Sequence, residues 1–148
     1  MRRTGPACAT ALAALALVGC GQSPGEVSEA TTSPPAFVEA VRQLVQPAER
    51  MGVVATAALD VSGDQPEMVE VDGLVGDAER EMTEFRALRP GDQPLRSEQA
   101  RLLSAMAPIV SRMRGVQAIL RSRSRSGLGD ATIGLLAALE GLPSAARS

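Results

Sequence analysis

Apolar residues along most of the chain recur every three or four positions, which is the spacing of one face of an α-helix. The first such series predicts helix one over residues 36 to 59. Its apolar seam consists of Phe37, Val41, Leu44, Ala48, Met51, Ala55 and Ala58. Pro47 falls inside this helix and removes a backbone donor, so we expect either a kink or a break into two helices.

A second series predicts helix two, which ends near residue 88. Its seam consists of Met68, Val71, Val75, Ala78, Met82 and Phe85. Asp64 and Glu67 have the spacing of a capping box and indicate the start of this helix. Gly73 and Gly76 weaken its middle, so a shorter helix from Asp77 is an alternative.

Two further helices follow, and together the four predict an all-α fold, a small bundle. Helix three is expected over residues 97 to 124 and contains Pro108, which is expected to kink or split it. Its seam consists of Leu102, Met106, Ile109, Met113, Val116 and Leu120. Asp130 is expected to cap a short helix four, with Ile133, Leu136 and Leu139 facing inward.

The segment before the helices has a different pattern. Arg2 and Arg3 precede an uncharged apolar run over residues 7 to 19, which is typical of a secretion signal. This run is shorter than the about 20 apolar residues that span a bilayer as a helix. Residues 21 to 35 are rich in Ser, Thr, Pro, Gly and Glu without an apolar period, which predicts a disordered tether. The predicted organisation is a signal peptide over 1–19, a tether over 20–35 and a helical bundle domain over 36–148.

The apolar run ends in Leu17, Val18, Gly19 and Cys20. This tetrapeptide resembles the lipobox of bacterial lipoproteins, a resemblance that is confined to the leader. It implies that lipid is attached to the thiol of Cys20 and that cleavage occurs before this residue. The chain is therefore expected to be anchored to a membrane of the cell envelope and to face the periplasm or the cell exterior. An ordinary cleaved signal that ends near a cysteine is the alternative.

Composition excludes several kinds of catalytic site. The chain has no histidine and no lysine, and its only aromatic residues are Phe37 and Phe85. Catalytic triads, imidazole metal ligands and Schiff bases are therefore excluded. A pair of carboxylates remains available, as in glycosidases, but sugar sites usually use aromatic faces. We therefore expect a non-catalytic protein that needs no cofactor.

Charge is distributed unevenly along the chain. Residues 60 to 84 contain nine acids and one arginine, whereas residues 99 to 129 contain six arginines and no acid. The favoured interpretation is that helices two and three complement their macrodipoles and pair with each other. The alternative is an anion-binding patch formed by Arg112, Arg114, Arg121, Arg123 and Arg125. The net negative charge of the chain argues against nucleic acid as a partner.

The acidic stretch is not expected to bind metal. The segment that begins at Asp60 resembles a calcium loop only superficially, because Gln65 and Val71 replace its required glycine and glutamate.

These patterns favour a membrane-anchored accessory protein that binds an envelope protein, with the partner docking as an amphipathic segment into a methionine-lined groove. In overall plan alone, without a shared motif, the chain resembles pilotin-like small helical lipoproteins. One alternative is a lipid or small-amphiphile carrier with a ligand between the helical seams. Another is a carboxylate-dependent enzyme that acts on envelope polysaccharide.

Overall fold

A computed structural model describes residues 31–60, 65–143 and 146 of the 148-residue chain. It contains four helices, α1 (Pro34–Ala57), α2 (Met68–Ala87), α3 (Gln93–Arg121) and α4 (Leu128–Glu140). Within the described residues the only pairing of β type is an isolated bridge between Thr32 and Pro90. The all-α prediction is therefore confirmed, whereas Cys20 and the signal-like run lie outside the described residues.

Helix α1 begins earlier than its apolar seam required. Ser33 precedes the helix with extended backbone, and a proline occupies the first turn, where a missing N–H costs no helical hydrogen bond. All seven predicted seam residues are buried. Pro47 is itself buried inside the helix and does not split it.

Residues 31–35 do not follow the predicted tether. The Thr32 amide donates to the Arg89 carbonyl at 2.9 Å, and the Arg89 amide donates to Thr32 Oγ1 at 3.1 Å. Pro34 and Pro35 already belong to α1. Helix α1 thus begins two residues before its predicted start at residue 36, because proline favours the first turn of a helix as well as extended chain.

Helix α2 runs unbroken through both of its internal glycines. An added Cβ would meet nothing within 4 Å at Gly73 or Gly76, so both positions are open to solvent and bear no packing role. The shorter alternative from Asp77 is wrong. The helix begins after Glu67, which occupies the N-cap position and makes no side-chain capping bond. The predicted capping box is therefore wrong at Glu67, and Asp64 lies outside the described residues.

Helix α3 begins at Gln93, earlier than predicted, because Asp92 is its N-cap. The carboxylate of Asp92 accepts a hydrogen bond from the Leu95 amide at 2.8 Å, which satisfies one of the free donors of the first turn. The predicted seam of α3 is buried throughout. Pro108 lies within the continuous helix, as Pro47 does in α1.

The predicted inner face of α4 is wrong at Ile133 and Leu136, whereas Leu139 is half-buried against the core as expected. Ile133 is 66% exposed and Leu136 is 39% exposed, whereas Leu128, Thr132 and Leu135 are buried. The Thr132 hydroxyl donates to the Leu128 carbonyl at 2.8 Å, so a polar residue enters the buried face without an unsatisfied group. The capping prediction also fails, because Gly127 at φ 80° occupies the N-cap and Asp130 lies in the first turn.

Contacts between side chains show that neighbouring helices are antiparallel. The rings of Phe37 and Phe85 pack in a tilted arrangement, with centroids 5.3 Å apart, near one end of α1 and α2, and Arg50 bonds Glu70 near the other end. Asp72 and Glu79 of α2 bind Arg121 and Arg114 of α3, in reverse order along the chain. The four helices enclose one hydrophobic core, in which the side chains of Leu44, Met51, Leu102 and Met113 are fully buried.

Candidate functional site

An apolar groove runs along the surface between α1 and α4. It is shallow and largely open to solvent, with a volume of about 500 Å³. The groove is lined by Glu49, Gly52, Val53, Thr56, Ala57, Leu136 and Leu139. Glu49, at one end of α1's contribution, is the single ionisable residue among the described residues that line it.

Gly52 sets the close approach of the two helices. A Cβ added to this residue would lie 3.0 Å from Leu136 Cδ2 and 3.7 Å from Leu139 Cδ1. Glycine inside a helix costs about 1 kcal/mol relative to alanine, and here its missing side chain makes room for the leucines of α4. The Thr56 hydroxyl is turned toward its own helix, because it donates to the Gly52 carbonyl at 2.7 Å. The floor of the groove is therefore apolar even at a threonine.

The apolar side chains on the walls of the groove are exposed to an unusual extent. Val53 is 71% exposed and Leu136 is 39% exposed. Ile133, at 66% exposed, precedes Leu136 by three residues and so lies on the same side of α4. Single exposed apolar residues are ordinary, but neighbouring ones beside a concave surface are typical of interaction sites.

The methionines do not share one groove, contrary to the sequence prediction, because Met68 and Met82 line separate surface pockets. Met51, Met106 and Met113 are completely buried, and Met68 and Met82 are half-buried against the core. Methionine fills irregular space in a core that contains only two aromatic rings. The groove between α1 and α4 was not predicted. One of its walls includes Leu136, a residue that the periodicity of α4 predicts to face inward.

The five arginines of the predicted anion-binding patch fall into three environments. Arg114 binds Glu79 through Nε at 3.0 Å and Nη2 at 2.8 Å. Arg121 binds Asp72 at 2.7 Å, and Gln117 donates to the same carboxylate. These contacts confirm that α2 and α3 pair across the bundle.

The other three arginines do not share these contacts. Arg112 lies against α4, where its Nη1 is 2.6 Å from the position of a Cβ added to Gly134. Arg123 and Arg125 lie in the connection between α3 and α4 and line one surface pocket. Of the five arginines, the structure thus brings only Arg123 and Arg125 together at one pocket.

The acidic residues of α2 are mostly engaged in ion pairs. Arg80 lies among three of them, at 2.8 Å from Asp77, 3.1 Å from Glu81 and 3.7 Å from Glu84. The hydrogen bond to Glu81 and the charge of Asp77 raise the pKa of Arg80 above its ordinary value. In the described part of the chain, no three Asp, Glu, His or Cys side chains converge as metal ligands would.

Of the helices in the described residues, none combines the length and the apolar character needed to cross a bilayer. Comparisons with family models, with curated proteins and with solved structures gave no match for this chain. Three features of the chain bear on its function: the groove between α1 and α4, the pocket lined by Arg123 and Arg125, and the N-terminal sequence.

Proposed function

We propose that this protein is a non-catalytic adaptor of the bacterial cell envelope, anchored by lipid at Cys20, whose helical bundle binds an amphipathic helix of a partner protein. The apolar groove between α1 and α4 is the observation that carries the binding part of the proposal. The lipobox-like residues Leu17, Val18, Gly19 and Cys20 support the anchoring part.

A partner helix fits the shape and chemistry of this groove. Two antiparallel helices form a channel along their length, and a helix with apolar residues at positions i, i+3 and i+4 presents a ridge that packs into it. Val53 and Leu136 supply apolar contacts on opposite walls. Glu49 at the margin favours a basic residue near that end of the partner helix.

The alternative of a ligand held between the helical seams receives no support from the core. Seam residues of α1 and α3 are between 0% and 7% exposed, so these helices are in direct contact rather than parted around a ligand. Such a ligand would have to separate residues that already bury one another.

Site-directed photo-crosslinking tests the binding surface. The chain contains no lysine, so amine-reactive reagents have no side chain to label, and a photoreactive amino acid at position 53 is used in the native envelope instead. We expect one crosslinked protein with the probe at position 53 and none with the same probe at position 69. Val69 is 83% exposed on α2 and serves as the matched control.

A second substitution distinguishes specific binding in the groove from nonspecific binding to exposed apolar residues. With the probe at position 53, Leu136→Asp is expected to abolish the crosslink, because a charge on the opposite wall cannot be buried without a large cost. Val38→Asp, at another exposed apolar site, is expected to leave it intact. Equal crosslinking in both variants would contradict the groove as the binding surface.

The anchoring part is tested by mass spectrometry of the N-terminal peptide from membranes. We expect the thiol of Cys20 to bear a lipid, and the protein to leave the membrane fraction when Cys20→Ser is introduced. A peptide with an unmodified Cys20, or a serine variant that stays in the membrane, contradicts anchoring at this residue.

A further inference from the structure

The connection between α3 and α4 has the sequence RSRSRS over residues 121–126, and its serines form local hydrogen bonds. The Ser122 hydroxyl donates to the Ile119 carbonyl at 2.7 Å. The Ser124 amide donates to Ser122 Oγ, and the Ser126 amide donates to Ser124 Oγ, both at 3.3 Å. Hydroxyls two residues back thus accept from the amides of Ser124 and Ser126, which flank Arg125.

Arg123 has a backbone conformation that arginine disfavours. Its φ of 53° is the one positive φ found at a non-glycine residue in the described part of the chain. The left-handed region costs about 1 kcal/mol or more for a residue with a Cβ, and glycine or asparagine would occupy it more easily. Backbone strain of this kind clusters at functional sites.

Arg123 and Arg125 line a surface pocket of about 570 Å³ together with Gln65, Pro66, Met68 and Leu120. The pocket thus combines two arginines with the apolar residues Met68, at the start of α2, and Leu120, near the end of α3. Neither arginine forms an ion pair with a described residue, in contrast to Arg114 and Arg121.

We propose that this pocket binds a phosphate group carried by an amphiphile. The guanidinium groups of Arg123 and Arg125 donate hydrogen bonds to the phosphate oxygens, a geometry for which arginine is well suited. Met68 and Leu120 contact the carbon atoms next to the phosphate. The head group of an anionic phospholipid has this chemistry, and free phosphate shares its anionic part. The pocket shares no residue with the α1–α4 groove, so this inference is independent of the proposed adaptor function.

Calorimetric titration tests the proposal with the full chain carrying Cys20→Ser, so that no attached lipid occupies the pocket. The probes are inorganic phosphate, dihexanoyl phosphatidate below its micellar concentration, and dihexanoyl phosphatidylcholine. We expect phosphatidate to bind about tenfold or more tightly than phosphate, because it adds the apolar contact. The zwitterionic lipid is expected to bind about tenfold more weakly than phosphatidate, because its head group has no net charge.

Substitutions assign the binding to the two arginines. Arg123→Gly with Arg125→Ser is expected to weaken phosphatidate binding about tenfold or more. The control, Arg42→Ala with Arg101→Ala, lowers the net charge equally at exposed sites elsewhere and is expected to change binding less than about twofold. Equal affinity for phosphate and phosphatidate would retain the anion site and identify free phosphate as the ligand. Absence of binding to both, or binding that survives loss of the two arginines, overturns the proposal.

A single variant separates a binding role from a structural one. Arg123→Gly removes a guanidinium but relieves the backbone strain at this position, so we expect weaker phosphatidate binding together with a raised thermal midpoint. Weaker binding that accompanies a lowered midpoint would mean that the arginine supports the fold, and would contradict the proposed role.

Discussion

At the scale of single residues, glycine has opposite consequences at different positions of this bundle. Gly52 lies in α1 beneath Leu136, where an added Cβ would be at 3.0 Å from that side chain. Gly73 lies in α2, where an added Cβ would meet nothing within 4 Å. The first glycine permits contact between helices, whereas the second only lowers helix propensity.

Gly73→Ala is therefore expected to raise the free energy of unfolding by about 0.5–1 kcal/mol, because alanine is a better helix former and has room. Gly52→Val is expected to lower it by about 1–3 kcal/mol, because the branched side chain would push α4 outward. Denaturant unfolding followed by circular dichroism measures both. A stabilising Gly52→Val would show that α4 does not pack as closely as described.

Two aspartates near helix starts are likewise distinguished by position. Asp92 bonds the Leu95 amide at the start of α3, whereas Asp130 lies inside the first turn of α4 without a capping bond. Asp92→Ala is expected to cost about 1 kcal/mol of unfolding free energy through the lost cap. Asp130→Ala is expected to cost about 0.5 kcal/mol or less through the helix dipole, and this cost should fall with added salt. Equal, salt-independent costs would contradict this assignment.

At the scale of helices, periodicity predicted α1 and α3 well and α4 poorly. The seams of α1 and α3 are long series of apolar residues, so an error at one position does not change which face of the helix is predicted to be buried. In α4 almost every residue is apolar or small, and the buried face passes through Thr132. A hydroxyl that bonds the preceding turn is not visible in a hydrophobic pattern. The groove could not be predicted because its wall depends on the rotation of α4.

The ends of the helices show the same limit. Helix α3 begins directly after Asp92, four residues before its predicted start at residue 97, whereas α2 begins only at Met68. Proline in the first turn fits both a helix and an extended chain, which explains the misplaced start of α1. Charge pairing between α2 and α3 was predictable because long blocks of opposite sign occur on adjacent helices.

The ion pair between Glu79 and Arg114 links α2 and α3 at the surface. Its two side chains are 46% and 58% exposed, so solvent weakens the attraction. We expect a double-mutant cycle with Glu79→Gln and Arg114→Gln to give a coupling free energy of about 0.2–1 kcal/mol that decreases with salt. A coupling several times larger would show that the pair is shielded from water.

At the scale of the whole molecule, the core is shared unequally among the four helices. Helix α1 contains nine buried residues, α3 seven, α2 five and α4 three. Stability in such a bundle is not uniform, because elements with less buried apolar surface open at a lower free energy. The helix that forms one wall of the groove is thus the helix with the smallest share of the core.

We therefore expect the amides of α4 to exchange with solvent deuterium before those of the α1 and α3 seams. Native-state hydrogen exchange read by mass spectrometry at low denaturant measures this order. Simultaneous exchange of all four helices would instead indicate a single cooperative unit.

The hydrogen bonds between Thr32 and Arg89 also determine how far the bundle can reach. They fix the chain at the end of the bundle where α3 begins, whereas the Arg123 pocket lies at the opposite end of α3, a helix of 29 residues and so about 43 Å long. Under the proposed anchoring, the segment between Cys20 and Thr32 spans at most about 43 Å, whatever its conformation. This segment and the bundle are thus of similar length. A bundle that stands upright on the anchoring bilayer would therefore hold its arginine pocket away from that bilayer. The pocket would reach lipids of the same bilayer only if the bundle lay along the membrane surface or folded back over the segment before Thr32.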